Sequence, residues 1–348
     1  MKQTLAVNRS TMVNPRGCAR LLSGVVCLAI FLTSTSICFG QKKFGKTPAS
    51  PPAEAQPKDE FDYQGKLKAH INQLAVVIGE RNLMHIDSLN KAADYIEKQF
   101  KGYGFTPTRQ QFKVRGLDCY NIAAEIKGSE KPDEIFIVGA HYDSVIGTPG
   151  ANDNGSGTAA MLALAEKLKN FKPKRTLRFV AFTNEEPPWF QNRGEMGSWV
   201  YAEMCRKEDQ DITGVISLET MGYFTDAEKS QKYPFPLNLR YPSTGNFIGF
   251  VGDRKSASLQ RKFLKSFKKN SKVPAEGASL PSSLQGVGWS DHWSFWQEGY
   301  VGIMVTDTAV FRYPHYHKLE DTPDKLNFPV FSKVVQGLVE PVKLVSNE

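Results

Sequence analysis

Six short polar segments of this chain carry histidines and carboxylates, the residue types that bind divalent metal ions. The first contains His141 and Asp143, which are two residues apart and point the same way if the chain there is extended. A carboxylate in that position commonly fixes the orientation of a metal-binding imidazole. The other segments contain, in chain order, Asp153, Glu185 with Glu186, Glu219, Asp291 with His292, and His315 with His317 and Asp321. Together these residue types favour a hydrolase that uses metal-bound water.

Each segment taken alone also has a structural explanation. Asp153 lies in a glycine-rich turn, where it could bridge two cations or simply cap a helix. Glu185 and Glu186 face different directions, so one could bind a metal while the other faces substrate, or both could be solvated loop acids. The prediction of a metal-dependent hydrolase therefore rests on the combination of these segments and not on any one of them. Asp153, Glu186 and Glu219, together with a bridging hydroxide, would balance the four positive charges of two zinc ions.

The elements that must position these side chains alternate between strands and helices. Apolar runs predict strands, and apolar spacings of three and four predict helices. The predicted strands cover 120–126, 133–140, 176–182, 214–218 and 301–305, and the predicted helices cover 67–78, 87–100, 157–168, 198–204, 256–269 and 330–345. We therefore predict an α/β fold with a mixed, largely parallel central sheet sandwiched between helices. Sites in such sheets gather in loops beyond the carboxyl ends of strands, where most of the candidate residues fall.

The chain divides into three predicted regions. Residues 1–40 combine a basic start, an apolar run at 21–33 and small residues before Gln41, the layout of a secretory signal peptide. An uncleaved membrane anchor is the alternative, although the run is short for a full span. Residues 41–61 are predicted to be a flexible linker, and 62–348 a single catalytic domain. We expect a secreted or periplasmic protein without a stable membrane span in its mature form.

Charge and cysteine content limit the partners of this chain. Four of its eight net positive charges fall in residues 1–40. The net charge of the remaining residues, about +4, is too small to predict binding to nucleic acid. The basic run at 261–272 fits a solvated helix face better than a polyanion site. Cys119 and Cys205 are the only cysteines beyond residue 40, and whether they pair stays open, as does the oligomeric state.

The combined pattern resembles the M28 family of metallopeptidases. The resemblance rests on segments that occur in the family's order and spacing from about residue 65 onward, namely His141-x-Asp143, 150–157 (GANDNGSG), Asn184-Glu185-Glu186, Ser290-Asp291-His292 and His317-x-x-x-Asp321-Thr322. The resemblance implies two zinc ions per chain. By motif position, His141 and Glu219 would hold one ion, Glu186 and His317 the other, and Asp153 would bridge both.

The resemblance also implies roles for the remaining acids. Glu185 would be the general base that activates the bridging water, and Asp143 would orient His141. Asp291 would support the site from behind, close to Glu185. The chain departs from the family pattern at Glu219, where well-known members carry aspartate.

The activity that the resemblance implies is that of an aminopeptidase, which removes N-terminal residues of peptides or proteins by attack of a metal-bridging hydroxide. A carboxypeptidase or dipeptidase is an alternative, which an arginine near the site (Arg193, Arg240 or Arg312) would favour. A glutaminyl cyclase with a single zinc and a catalytically inactive binding domain are the others. Four aromatic residues are candidates for the pocket wall, although core packing is the favoured interpretation of each, namely Trp189, Phe190, Tyr223 and Tyr313.

Overall fold

Three neighbouring parallel strands with continuous apolar runs build the centre of the sheet. The computed structural model describes residues 61–348, so the predicted signal peptide and all of the predicted linker except Phe61 lie outside the described residues. The described strands are β1 (Thr108–Val114), β2 (Leu117–Ile126), β3 (Lys131–His141), β4 (Arg175–Phe182), β5 (Asp211–Glu219), β6 (Ile248–Gly252), β7 (Ala275–Ser279) and β8 (Gly302–Thr306).

The strands form one mixed sheet in the order β1-β2-β4-β3-β5-β8-β6-β7. Four neighbouring pairs are parallel, namely β4–β3, β3–β5, β5–β8 and β6–β7. The pairs β1–β2, β2–β4 and β8–β6 are antiparallel. The predicted mixed, largely parallel sheet is therefore confirmed.

Helices cover both faces of this sheet. They are α1 (Tyr63–Ile71), α2 (Ile86–Gly102), α3 (Gly155–Leu168), α4 (Gly197–Lys207), α5 (Ala257–Asn270), α6 (His292–Gln297), α7 (Ala309–Arg312) and α8 (Phe328–Ser346). The strand β3 shows the double covering, because Phe136 and Val138 belong to the core under α1, α3 and α8, whereas Ile135 and Ile137 belong to the core under α4 and α6. A strand buried on both faces has a continuous rather than an alternating apolar run, as this one does.

The structure differs from the predicted elements in a few places. The predicted helix 67–78 is α-helical only to Ile71 and continues as a π-helix over Asn72–Ile78. The strands β1, β6 and β7 and the helices α6 and α7 were not predicted. The strand β7 (AEGAS) contains no β-branched residue, so its pairing with β6 rather than its own propensity makes it a strand. Among the described residues, no helix is long and apolar enough to cross a bilayer.

Candidate metal centre

The candidate residues converge because their strands end at the same edge of the sheet. His141 is the last residue of β3, Glu219 is the last residue of β5, and both strands run in the same direction. Glu185 and Glu186 follow β4, which is parallel to β3 on its other side. Asp153 lies in the turn before α3. The edge beyond parallel strand ends is where sites in such sheets form, and the sequence placed the candidate residues there.

Two groups of three side chains share Asp153. In the first group, Nε2 of His141 lies 3.5 Å from Oδ1 of Asp153 and 3.1 Å from Oε2 of Glu219. In the second, Nε2 of His317 lies 3.1 Å from both Oδ2 of Asp153 and Oε2 of Glu186. The two carboxylate oxygens of Asp153 thus face different histidines. This is the arrangement by which one carboxylate could bridge two cations.

Several of these polar atoms are buried without a hydrogen bond. Within the described part of the chain, none is made by Oδ2 of Asp153, Oε1 of Glu186 or Nε2 of His317. Burying a polar atom without a partner is costly, so such atoms at one spot indicate a missing ligand. The donor set of imidazole nitrogens and carboxylate oxygens fits zinc.

The excess of negative charge around the two histidines also indicates a site for metal ions. Seven buried carboxylates surround the two histidines, namely Asp143, Asp153, Glu185, Glu186, Glu219, Asp291 and Asp321. Burial, followed by the charge of Asp153, raises the pKa of Glu186 to about 8. Interactions with both histidines outweigh burial at Asp153 and lower its pKa. A cluster of this kind stays ionised only beside added positive charge, which divalent cations would supply.

Glu185 lies beside the first group without belonging to it. Its Oε2 is 3.7 Å from Nε2 of His141, and its side chain is 9% exposed. Burial holds the pKa of Glu185 well above its usual range, and the charges of Glu219, Glu186 and Asp291 add to this effect. A carboxylate so placed can accept a proton near neutral pH.

Asp143 connects two of the strand ends. Its Oδ1 is 3.4 Å from Nδ1 of His141. Its two oxygens also accept the backbone N–H groups of Glu185 and Glu186, both at 3.1 Å. The side chain therefore ties the Glu185–Glu186 segment to the end of β3.

Asp291, which the family resemblance implies to support the site, is buried near Glu185. It is fully buried just before α6, and neither of its carboxylate oxygens accepts a hydrogen bond within 61–348. Its relation to Glu185 is electrostatic only. Burial raises the pKa of Asp291 to about 7.

Glu219, the departure from the family pattern, is held in place by a serine. Oγ of Ser290 donates a hydrogen bond of 2.8 Å to Oε2 of Glu219, and Ser290 contacts the hydroxyl of Ser217 at 2.8 Å. The extra methylene of glutamate does not prevent this side chain from reaching His141 and Asp153.

Asp321 and Asn154, for which no specific role was predicted, hold the turn that carries Asp153. Asp321 accepts the backbone N–H groups of Asn152 and Asp153 at 2.8 and 3.0 Å. The side chain of Asn154 caps α3 by accepting the N–H of Gly157, and it donates to the carbonyl of Leu218 at 2.8 Å. The helix cap is thus supplied by Asn154, which leaves the carboxylate of Asp153 free.

Arg81, for which the sequence predicted no role, is fully buried behind the site. Its Nε donates to the carbonyl of Tyr142 at 2.6 Å, and its Nη1 and Nη2 donate to those of Pro149 and Gly150 at 2.6 and 2.8 Å. Burial lowers the pKa of Arg81 to about 10, against the opposing effect of nearby carboxylates. No sequence signal marked this arginine, because its partners are backbone carbonyls far along the chain.

One candidate ligand and two residues beside candidate ligands have an unusual backbone. Asn184, Thr220 and His317 have φ angles of 56°, 41° and 56°, a region that side-chain-bearing residues rarely adopt. Hydrogen bonds hold the first two. The Nδ2 of Asn184 donates to Sγ of Cys119, and the backbone N–H of Thr220 donates to Asn154. Strain of this type, about 1–3 kcal/mol per residue, is concentrated at functional sites.

An apolar pocket opens beside Glu219. Its walls include Tyr233, Leu237, Tyr241, Val287 and Phe311. The charged residues among the described residues that line it are Glu219 and Glu276, both acidic.

The four aromatic residues considered for the pocket wall, for which core packing was the favoured interpretation, lie outside this pocket. Trp189 and Tyr313 are buried. Tyr313 instead donates its hydroxyl to Asp321 at 2.8 Å. The two cysteines, whose pairing the sequence left open, are both free and buried.

Comparisons with known proteins agree with this geometry. Residues 121–340 match the profile described as peptidase family M28. The protein YfbL of Escherichia coli K12 is 33% identical over 329 residues, which cover 92% of this chain and 97% of that protein. A probable zinc metalloprotease of Pyrenophora tritici-repentis is 26% identical over 264 residues, and the match covers 66% of this chain but only 53% of that protein.

Solved structures share the fold at lower sequence identity. A zinc aminopeptidase from Bacillus subtilis has a TM-score of 0.64 at 17% identity, over 82% of this chain and 95% of that one. A glutaminyl cyclase from Fimbriiglobus ruber has a TM-score of 0.59 at 22% identity, over 86% and 99% of the two chains. At such identities the likeness shows the fold alone and does not separate the two activities.

Proposed function

The chain belongs to peptidase family M28 and is a zinc metallopeptidase, and on that premise we propose that it is an aminopeptidase with two zinc ions. The observation that carries the proposal is the charge of the pocket beside the candidate metal centre. Its charged lining residues, within the described chain, are the carboxylates of Glu219 and Glu276. Such a pocket offers a C-terminal carboxylate no cationic partner among the described lining residues and repels it through Glu276, whereas a free N-terminal amine meets no such repulsion.

Two of the three arginines that would have favoured a carboxypeptidase are engaged elsewhere, and the third does not line the pocket. Arg193 is exposed and pairs with Glu203. Arg312 is buried, and its Nε donates to Gln231 at 2.7 Å. Arg240 is exposed and lies beside the ring of Tyr241 without lining the pocket itself. This distribution supports the aminopeptidase over the carboxypeptidase alternative.

The two groups that share Asp153 assign the zinc ligands in this proposal. His141 and Glu219 would hold one ion, Glu186 and His317 the other, and Asp153 would contribute one oxygen to each. When bound, zinc supplies Lewis acidity that polarises the scissile carbonyl and makes water more acidic. Asp143 orients His141 and holds the Glu185 backbone in place.

Glu185 performs the proton transfers in this proposal. Its carboxylate, 9% exposed, lies 3.7 Å from Nε2 of His141, where it would face a water molecule and the peptide bond of a bound substrate. It takes a proton from the attacking water and delivers it to the leaving amine. The raised pKa of Glu185 suits both transfers, because the group can be charged before the attack and protonated after it.

A glutaminyl cyclase is the second candidate, since cyclases share the fold. The second group of ligands, formed by Asp153, Glu186 and His317, favours a two-metal hydrolase over an enzyme with a single zinc.

The test measures hydrolysis of Leu- and Ala-p-nitroanilide and of matched free and N-acetylated peptides, with zinc counted on the same sample of the chain from Gln41. Cleavage only of free N-termini with two zinc ions per chain would support the proposal. One zinc ion, no hydrolysis and conversion of N-terminal glutamine would establish the cyclase. Cleavage of N-acetylated peptides at their other end would establish the carboxypeptidase.

The location of the enzyme is part of the proposal. Because residues 1–40 have the layout of a signal peptide, we propose that the enzyme is exported and cut near Gly40. Sequencing the N-terminus of protein recovered from the periplasm or medium would test this. An intact N-terminus in the membrane fraction would favour the anchored alternative.

A further inference from the structure

One row of paired residues runs from the candidate metal centre to the far edge of the sheet. Glu219 of β5 pairs with Thr306 of β8, Thr306 pairs with Gly249 of β6, and Gly249 pairs with Glu276 of β7. Directly paired residues project from the same face of a sheet. The row therefore places Glu219 and Glu276 on one face, about 14 Å apart over three strand spacings.

One face of the three outer strands forms the floor between these two carboxylates. Alternate residues of a strand point the same way, and six residues of this face line the pocket, namely Met304 and Thr306, Gly249 and Val251, and Glu276 and Ala278. The two positions between the carboxylates are Thr306, whose side chain is short, and Gly249, which has no side chain. A long substrate side chain could therefore lie across β6 from the metal centre toward Glu276.

The far end of the pocket combines a carboxylate with two aromatic rings. Tyr233 and Tyr241 line this end, and their ring centroids are 5.8 Å apart. Both hydroxyls are occupied, since Tyr233 donates to the carbonyl of Pro242 and Tyr241 to that of Gly277. The charge of Glu276 contributes to raising the pKa of both phenols, so its carboxylate lies close to them.

Within residues 61–348 the side chain of Glu276 forms no ion pair or hydrogen bond, although it is only partly exposed on the wall of an apolar pocket. The guanidinium of Arg240 lies beside the ring of Tyr241 at this end of the pocket without pairing with Glu276. A carboxylate in such surroundings gains from a cation, and aromatic rings beside it add cation–π attraction. Lysine and arginine side chains have apolar stems and cationic ends, which match the apolar walls and the acidic end.

We propose that Glu276 selects substrates whose N-terminal residue is lysine or arginine. The inference rests on the proposed function, because it takes this pocket to hold the side chain of the residue that is removed.

The test compares kcat/KM of the full-length, zinc-loaded enzyme on Lys- and Arg-p-nitroanilide with that on Met- and norleucine-p-nitroanilide, whose side chains are long but uncharged. We expect the wild type to prefer the cationic substrates. E276Q should lower the ratio of kcat/KM for lysine to that for norleucine roughly 10- to 100-fold, the range for one hydrogen bond to a charged group. E340Q, on the exposed side of α8, is the control and should leave the ratio unchanged.

A wild type that prefers the uncharged substrates would overturn the inference, and so would an unchanged ratio in E276Q. If the zinc-loaded enzyme cleaves none of these substrates, the proposed function fails instead. Calorimetric binding of lysinamide and norleucinamide then tests Glu276 independently. Tighter binding of lysinamide that is lost in E276Q would support the inference, and equal affinities would overturn it.

Discussion

The buried Arg81 should be the strongest single anchor of the candidate metal centre, and Arg81→Met tests this. Methionine fills similar space without donating hydrogen bonds. The carbonyls of Tyr142 and Pro149 would each lose a bond of 2.6 Å, whereas the carbonyl of Gly150 retains the N–H of Gly155. Two unsatisfied carbonyls at about 1–3 kcal/mol each, and one lost net bond at about 1 kcal/mol, predict a loss of about 3–7 kcal/mol.

A loss of that size would be a large fraction of the roughly 5–15 kcal/mol that stabilises a folded protein. The assay is urea unfolding, followed by circular dichroism and tryptophan fluorescence, with saturating zinc so that metal content does not differ between variants. Arg193→Met is the matched control, because Arg193 is exposed and paired with Glu203. Its loss should stay below about 1 kcal/mol.

Equal stability of Arg81→Met and Arg193→Met would refute the reasoning. It would mean that water or a shift of the backbone satisfies the freed carbonyls at no cost. A large loss that appears only without zinc would also refute it, because the structural argument concerns carbonyl hydrogen bonds that do not depend on the metal.

Three further predictions concern proton transfer, metal content and pH. Glu185→Gln should keep the zinc content of the wild type while kcat falls roughly 10²- to 10⁴-fold, as measured by steady-state kinetics and metal analysis. His317→Ala should lose one zinc ion per chain, as measured by metal analysis after dialysis. Burial lowers the pKa of His70 to about 4, so the folded state binds fewer protons than the unfolded state below pH 6.5. The stability that this histidine contributes is therefore complete above pH 6.5, and about 3 kcal/mol of it should be lost as the pH falls toward 4. Unfolding of wild type and His70→Gln should show this difference.

Each of these predictions has a result that contradicts it. Turnover close to that of the wild type in Glu185→Gln would show that Glu185 is not the general base. Full zinc content in His317→Ala would show that His317 is not a zinc ligand. A parallel pH dependence of stability in wild type and His70→Gln would show that His70 titrates normally. His70 contacts the hydroxyls of Tyr95 and Tyr103, which stay neutral over this range, so they do not mask the effect.

The parts of this structure that produce a recognisable local pattern in the sequence could be predicted. The strand β3 was predictable because a strand covered on both faces must be apolar throughout, and its carboxyl end marked the position of His141. Candidate ligands in successive strand ends could be expected to meet, because parallel strands share an edge. The structure brings His141, Asp153 and Glu219 together, and the second group likewise.

Features that depend on distant pairing could not be predicted. The strand β7 exists through its pairing with β6, and the row from Glu219 to Glu276 depends on the register of four strands. Arg81 gave no signal, because an arginine bound to carbonyls looks like any surface arginine in a sequence. The residues of the pocket wall could not be predicted for the same reason, since an aromatic residue in a loop can as easily face the core, as Trp189 does.

The distribution of the candidate ligands along the chain has a consequence for biogenesis. One group needs His141 and Glu219, and the other is complete only when His317 has been synthesised and folded against Asp153. Contacts between such distant residues slow folding, because a long loop must close before they form. A nascent chain that has not yet reached His317 can therefore offer at most one group of ligands. A metal ion that binds only the folded state stabilises that state by mass action, so binding of zinc would stabilise the chain once both groups of ligands have formed. The number of zinc ions bound per chain would then report whether the whole sheet has assembled.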